Sequence, residues 1–168
     1  MATSITENEY YQTNAIFRNV QQLTPETIAI LFSKSELQSI SFLDLGSINV
    51  ETARALAGFQ GNNLHLHITK DVPSEVLSML GQFQGENLEL HFEEVTPEFL
   101  SGLAPYNGTL RLKFPKLDLE SVEIMKDFQC SQMFFEMRWW LPYGAKSILS
   151  ENNCTVPDLQ QYREANAP

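Results

Sequence analysis

Apolar and polar positions along this chain follow two alternating periods. An aliphatic-x-x-Glu signature occurs five times, as Leu23–Glu26, Ile48–Glu51, Val72–Glu75, Val95–Glu98 and Leu117–Glu120, with starts 25, 24, 23 and 22 residues apart. Two residues past each Glu stands an apolar residue: Ile28, Ala53, Leu77, Leu100 or Val122. Five past it stands another (Leu31, Leu56, Leu80, Leu103, Met125), and eight past it four units carry an aromatic (Phe59, Phe83, Tyr106, Phe128). Spacings of three residues place these groups in one stripe on a short helix. The period then drops to two: Ile40-Ser41-Phe42, Leu64-His65-Leu66, Leu88-Glu89-Leu90, Leu110-Arg111-Leu112 and Met133-Phe134-Phe135. Such alternation predicts short strands buried on one face, and Ile68, Phe92 and Phe114 extend the inward set.

Local chemistry marks the boundaries. Thr24-Pro25-Glu26 and Thr96-Pro97-Glu98 combine a capping hydroxyl, a proline at the first helical position and an acid near the positive end of the helix dipole. Asn49 and Asp118 are caps of the same kind; in the third unit the cap is Asp71 or Ser74. Gly61, Gly85 and Gly108 fall ten residues past the Glu, where a left-handed residue is expected to end a helix. Two units are near-duplicates: GFQGNNLHLH (Gly58–His67) and QFQGENLELH (Gln82–His91) agree at seven of ten positions.

A unit of helix, turn, strand and loop repeated in this way forces successive strands to run parallel. The predicted fold is α/β: a right-handed solenoid of about five helix–turn–strand repeats of 22–25 residues, with a parallel sheet on one face and a cap at each end. The single domain divides into an N-terminal cap (1–22), five units (23–137) and a C-terminal cap and tail (138–168). The L-x-L strands, with an apolar residue two positions further on and this period, resemble the leucine-rich repeat superfamily, in a divergent, bacterial-looking form. The positions where that family carries an Asn ladder are here Leu45, Thr69, Glu93 and Pro115. The resemblance implies protein binding.

Caps are expected at both ends, because a terminal unit otherwise exposes core. Glu7–Tyr11 reads as a helical turn and Ala15–Val20 as a leading strand. Trp139 and Trp140 close the last repeat or, alternatively, anchor a partner. Lys146–Glu151 reads as helix, followed by a polar tail with one short helix.

Charge narrows the partners. Lys and Arg number 11 against 21 Asp and Glu, a formal charge of −10, which disfavours nucleic acid and anionic membranes. The sequence shows neither the basic-then-apolar opening of a signal peptide nor a long apolar run. Cys130 and Cys154 have no zinc-type spacing and are expected to be reduced thiols of a cytoplasmic protein, with a disulfide or reactive pair as the alternative.

On the predicted strands, the residues between the leucines form two outward columns: Ser41, His65, Glu89, Arg111, Phe134 and Leu43, His67, His91, Lys113, Glu136. All three histidines fall on this face. The leading expectation is a non-enzymatic module that binds a protein or peptide there, through His65, His67, Glu89, His91, Arg111, Lys113, Phe134 and Glu136. An acidic inhibitor or immunity-type protein that blocks a basic effector is the alternative. A metal-dependent enzyme, using His67 and His91 with His65 or Glu89, ranks third, because neighbouring rungs of a flat ladder seldom converge on a tetrahedron. No cofactor is expected: the glycines lie singly, without a phosphate-binding pattern, and nothing orients Ser41 and His65 as a nucleophile–base pair.

Overall fold

In a computed structural model, which describes residues 13–33, 36–69, 73–93, 96–137, 140–157 and 159–165, strands and helices alternate along the chain. The order is β1 (Asn14–Arg18), α1 (Pro25–Phe32), β2 (Ser39–Leu45), α2 (Val50–Ala57), β3 (Asn63–Ile68), α3 (Ser74–Leu80), β4 (Asn87–Phe92), α4 (Pro97–Ser101), β5 (Thr109–Phe114), α5 (Leu119–Ile124), β6 (Gln132–Met137) and α6 (Ala145–Ser150). Short 3-10 turns follow at Met125–Asp127 and Leu159–Gln161. The six strands form one parallel sheet in sequential order. The leading strand expected within the N-terminal cap is thus a full member of the sheet. Glu7–Tyr11 lies outside the described residues.

Burial follows the two periods. Ile28, Ala53, Leu77, Leu100, Val122 and the second and third members of each stripe are all buried. So are the inward strand residues, including Leu64, Leu66, Leu88, Leu90, Leu110 and Leu112, and they join the helix stripes in one contiguous core. The aromatics that end three successive stripes stack on one another, Phe59 on Phe83 at 6.4 Å and Phe83 on Tyr106 at 6.3 Å, both near parallel. Phe32 begins this column by packing 4.9 Å from Phe59.

Four of the expected caps form. Thr24, Asn49, Thr96 and Asp118 each accept a hydrogen bond from the backbone N–H three residues on. Asp71 lies outside the described residues; α3 begins after Pro73 without a side-chain cap, and Ser74 is its first residue. Glu26, Glu51, Glu75, Glu98 and Glu120 occupy the first turns and are exposed. The Glu26 carboxyl is held below its ordinary range by backbone N–H donation and by Thr24.

The glycines of the repeat correct an expectation. Gly144 is the one described glycine with positive φ, and Gly61, Gly85 and Gly108 are not left-handed. Their constraint is space, taken up first by the aromatic two residues back (Phe59, Phe83 or Tyr106) and then by the neighbouring rung. A Cβ on Gly85 would lie 2.6 Å from the Gly61 carbonyl oxygen, and one on Gly108 would lie 2.6 Å from that of Glu86. The duplicated Phe-Gln-Gly is explained by the same turn: Phe enters the core and Gly admits the neighbouring rung. Gln60 and Gln84 donate to the carbonyls of Gly58 and Gln82, two residues back.

The C-terminal end departs from the sequence reading twice. Trp140 is 54% exposed and does not close the core; Trp139 lies outside the described residues. Leu141, Ala145, Leu149 and Cys154 are the buried groups there. Tyr162 covers the edge of β6, its hydroxyl donating to Phe135 O at 3.0 Å and accepting from Phe135 N at 3.2 Å. Pairing at this edge satisfies backbone groups that another chain could otherwise recruit. Cys130 and Cys154 form a disulfide instead of two thiols. A separation of one repeat length brings them together: Cys130 takes the Gly61/Gly85/Gly108 position of its unit, and Cys154 lies 24 residues later.

Candidate functional site

Parallel sheets are usually covered on both faces. Among the described residues, the helices pack in chain order, α1 on α2 through α5 on α6, and share one core with the inward side chains. The outward side chains of β3 and β4 remain partly exposed, alternating strictly with buried ones. This uncovered face holds the candidate residues.

The register places the first column as expected: Ser41 beside His65, His65 beside Glu89, Glu89 beside Arg111 and Arg111 beside Phe134, with Ile16 added by β1. The His65 imidazole approaches Glu89 to 3.5 Å. Burial pushes its pKa down, opposed by the Glu89 charge and aided by His67 and Lys113. Arg111 lies over the Phe134 ring, 4.2 Å from its centre, a cation–π arrangement. Ser41 has His65 on its adjacent rung, and Glu89 lies on the far side of that imidazole.

The second column runs His67, His91, Lys113, Glu136. Lys113 Nζ donates to Glu136 Oε1 at 2.5 Å. The His67 and His91 rings stack at 3.9 Å and 13°. Burial lowers the His91 pKa, with His67 and Lys113 acting in the same direction.

At β2 the column departs from the sequence reading. Leu43 was expected beside His67. Phe42 pairs with Leu66 and Leu45 with Ile68, so two residues of β2 oppose His67 alone, a β-bulge. Asp44 adopts φ 60° at the bulge, a left-handed conformation that Asp tolerates better than most residues. Its carboxylate reaches His67 Nδ1 at 3.2 Å. Glu93, one residue past β4, brings a second carboxylate to 3.8 Å from His67 Nε2. Neither acid belonged to the sequence-derived columns, because strict alternation has no place for a bulged residue or for one beyond a strand end. The face is therefore richer in acid around the histidines than those columns suggest.

Two hollows open beside these groups. One, of about 410 Å³, is bounded by Glu89, Arg111, Lys113, Phe134, Glu136 and Tyr162. The other, of about 180 Å³, lies between His91, Glu93, Lys113, Pro115 and Glu136. Six of the eight sequence-predicted residues thus border one hollow or the other, while His65 and His67 stand further along the sheet. Tyr162 was missed because a polar tail carries no periodic signal.

No protein-family model, curated protein or solved structure matches the chain. No helix among the described residues is long and apolar enough to cross a membrane.

Proposed function

We propose that the chain is a right-handed, leucine-rich-repeat-like solenoid that works as a non-enzymatic binding module, taking a protein or peptide on its concave strand face. The observation that carries this reading is the uncovered face of the parallel sheet, with a hollow framed by the Arg111–Phe134 and Lys113–Glu136 pairs. An aromatic ring with a guanidinium over it supplies the combination of apolar area and directed charge common at the centres of interfaces. The remaining candidates, His65, His67, Glu89 and His91, extend the surface along the sheet.

Two features bear on the other expectations. The Cys130–Cys154 disulfide fits an oxidising compartment, so a reduced cytoplasmic setting loses the thiols as support. The five helix-start acids answer a local need of their helices, so the net charge by itself gives little weight to an inhibitor of a basic effector.

The test is affinity capture from the host cell with the full chain and with the double variant Arg111→Glu/Lys113→Glu, proteins being identified by mass spectrometry. A partner retained by the native chain and lost by the variant is the expected result. Equal retention by both would remove this part of the face from the interface. Retention that collapses with added salt, yet survives the double variant, would favour the acidic-inhibitor reading.

A further inference from the structure

The one buried side-chain polar atom without a hydrogen-bond partner among the described residues is His67 Nε2. Burying an imidazole nitrogen without a partner is unfavourable, so what surrounds it matters. The Asp44 carboxylate, 3.2 Å from Nδ1, favours the proton on that nitrogen and leaves Nε2 as a lone-pair donor. Nε2 faces Glu93 Oε1 at 3.8 Å, too far for a direct hydrogen bond. One donor atom each from His67, His91 and Glu93 lie within 4.8 Å of one another. Donors bound to one tetrahedral zinc stand roughly 3.3 Å apart, given bond lengths of about 2.0–2.1 Å. Closure therefore requires the donors to draw together by side-chain rotation.

We propose that His67, His91 and Glu93 bind a divalent first-row metal ion of the zinc class, with Asp44 as the positioning residue that orients His67. Two imidazoles and one carboxylate form a recognised zinc donor set that leaves a fourth position free. The flat-ladder objection concerns residues on regular rungs, and two of these four are not on regular rungs. Asp44 stands in the bulge of β2 and Glu93 lies beyond the end of β4, so a carboxylate approaches the stacked imidazoles from outside the ladder. His91 must rotate out of its stack on His67 to complete the set. Glu93 and His91 also border the smaller hollow, which gives the fourth position room for water or for a donor from a bound ligand. A carboxylate on the non-coordinating nitrogen of a ligating histidine fixes its tautomer and strengthens the bond. The metal assignment stands without the partner-binding reading.

The full chain, purified without a histidine tag and stripped with a chelator, should take up one Zn²⁺ in calorimetric titration and in competition with a chromophoric chelator. His67→Ala, His91→Ala and Glu93→Gln should each abolish that stoichiometric uptake, and Asp44→Asn should weaken it about 10- to 100-fold. His65→Ala should bind as the native chain does. Thermal melts of the stripped variants separate loss of a ligand from loss of the fold, and Zn²⁺ should raise the Tm of the native chain but not of His91→Ala. The proposal is overturned if the native chain binds no stoichiometric Zn²⁺. It is equally overturned if His65→Ala costs as much affinity as His91→Ala, since binding would then be a property of the whole histidine surface.

Discussion

The two faces of β4 have opposite characters. Leu88, Leu90 and Phe92 point inward and are at most 2% exposed, while Glu89 and His91, between them, are partly exposed. Inward, each strand repeats its neighbour in kind; outward, the rungs change from serine to histidine, glutamate, arginine and phenylalanine. Packing explains the contrast. A core shared by stacked units accepts only side chains whose volumes fit both neighbours. The outward face bears no such constraint, so chemistry can vary there from rung to rung without altering the scaffold.

Substitutions on the two faces should separate accordingly. Leu90→Ala should destabilise the chain by about 2–5 kcal/mol, through lost burial and a cavity, as measured by urea denaturation. At the C-terminal end, Cys154→Ser should remove roughly 3 kcal/mol, the effect of opening a loop of this length, and a reductant should bring the native chain close to the variant. Gly85→Ala tests whether this turn is tightly packed: with the Phe83 ring 2.2 Å and the Gly61 carbonyl 2.6 Å from the new Cβ, a loss of about 1–3 kcal/mol is expected. If Gly85→Ala were neutral or stabilising, the close approach would not be what constrains that position. Asn49→Ala, which removes the acceptor of the Thr52 N–H, should lower the Tm by the equivalent of about 1 kcal/mol. Smallest of all, Glu89→Ala should change stability by less than about 0.5 kcal/mol, because its contact with His65 is long and solvent-screened. A Glu89→Ala effect approaching that of Leu90→Ala would break the distinction between scaffold and display.

Alkaline pH probes the inner face from another direction. Tyr106 is buried at the end of the aromatic column, and its hydroxyl donates to Gly85 O at 3.1 Å. Burial raises its pKa well above the ordinary value of 10.0. In the unfolded chain the phenol ionises near 10, while in the folded chain it stays protonated. The folded state then binds the extra proton, so this stabilisation is complete below pH 10 and is lost as pH rises beyond it.

Much of this arrangement was legible in residue spacing. The five Glu positions located the helix starts, and the period-2 segments gave both the strand register and the outward columns. Burial imposes those periods directly, so they appear in the order of residues. Other features depend on what meets in space. The glycines were assigned to backbone freedom when they make room for the aromatic two residues back and for the neighbouring rung, contacts that the order of residues does not display. Trp140, apolar in composition, is exposed, while Leu141 beside it takes the buried place.

The sequence by itself determined the alternation of helix and strand, the parallel order and the identity of the core, because each follows from a local period summed over repeated units. Tertiary structure decided the bulge at Asp44, the arrival of Glu93 beside His67, the closure of Cys130 on Cys154 and the cover that Tyr162 gives to β6. These are contacts between residues 24 or more positions apart, or between neighbouring strands at a point where the period fails. Only the packed chain brings such residues together, since no local preference of either partner specifies the other.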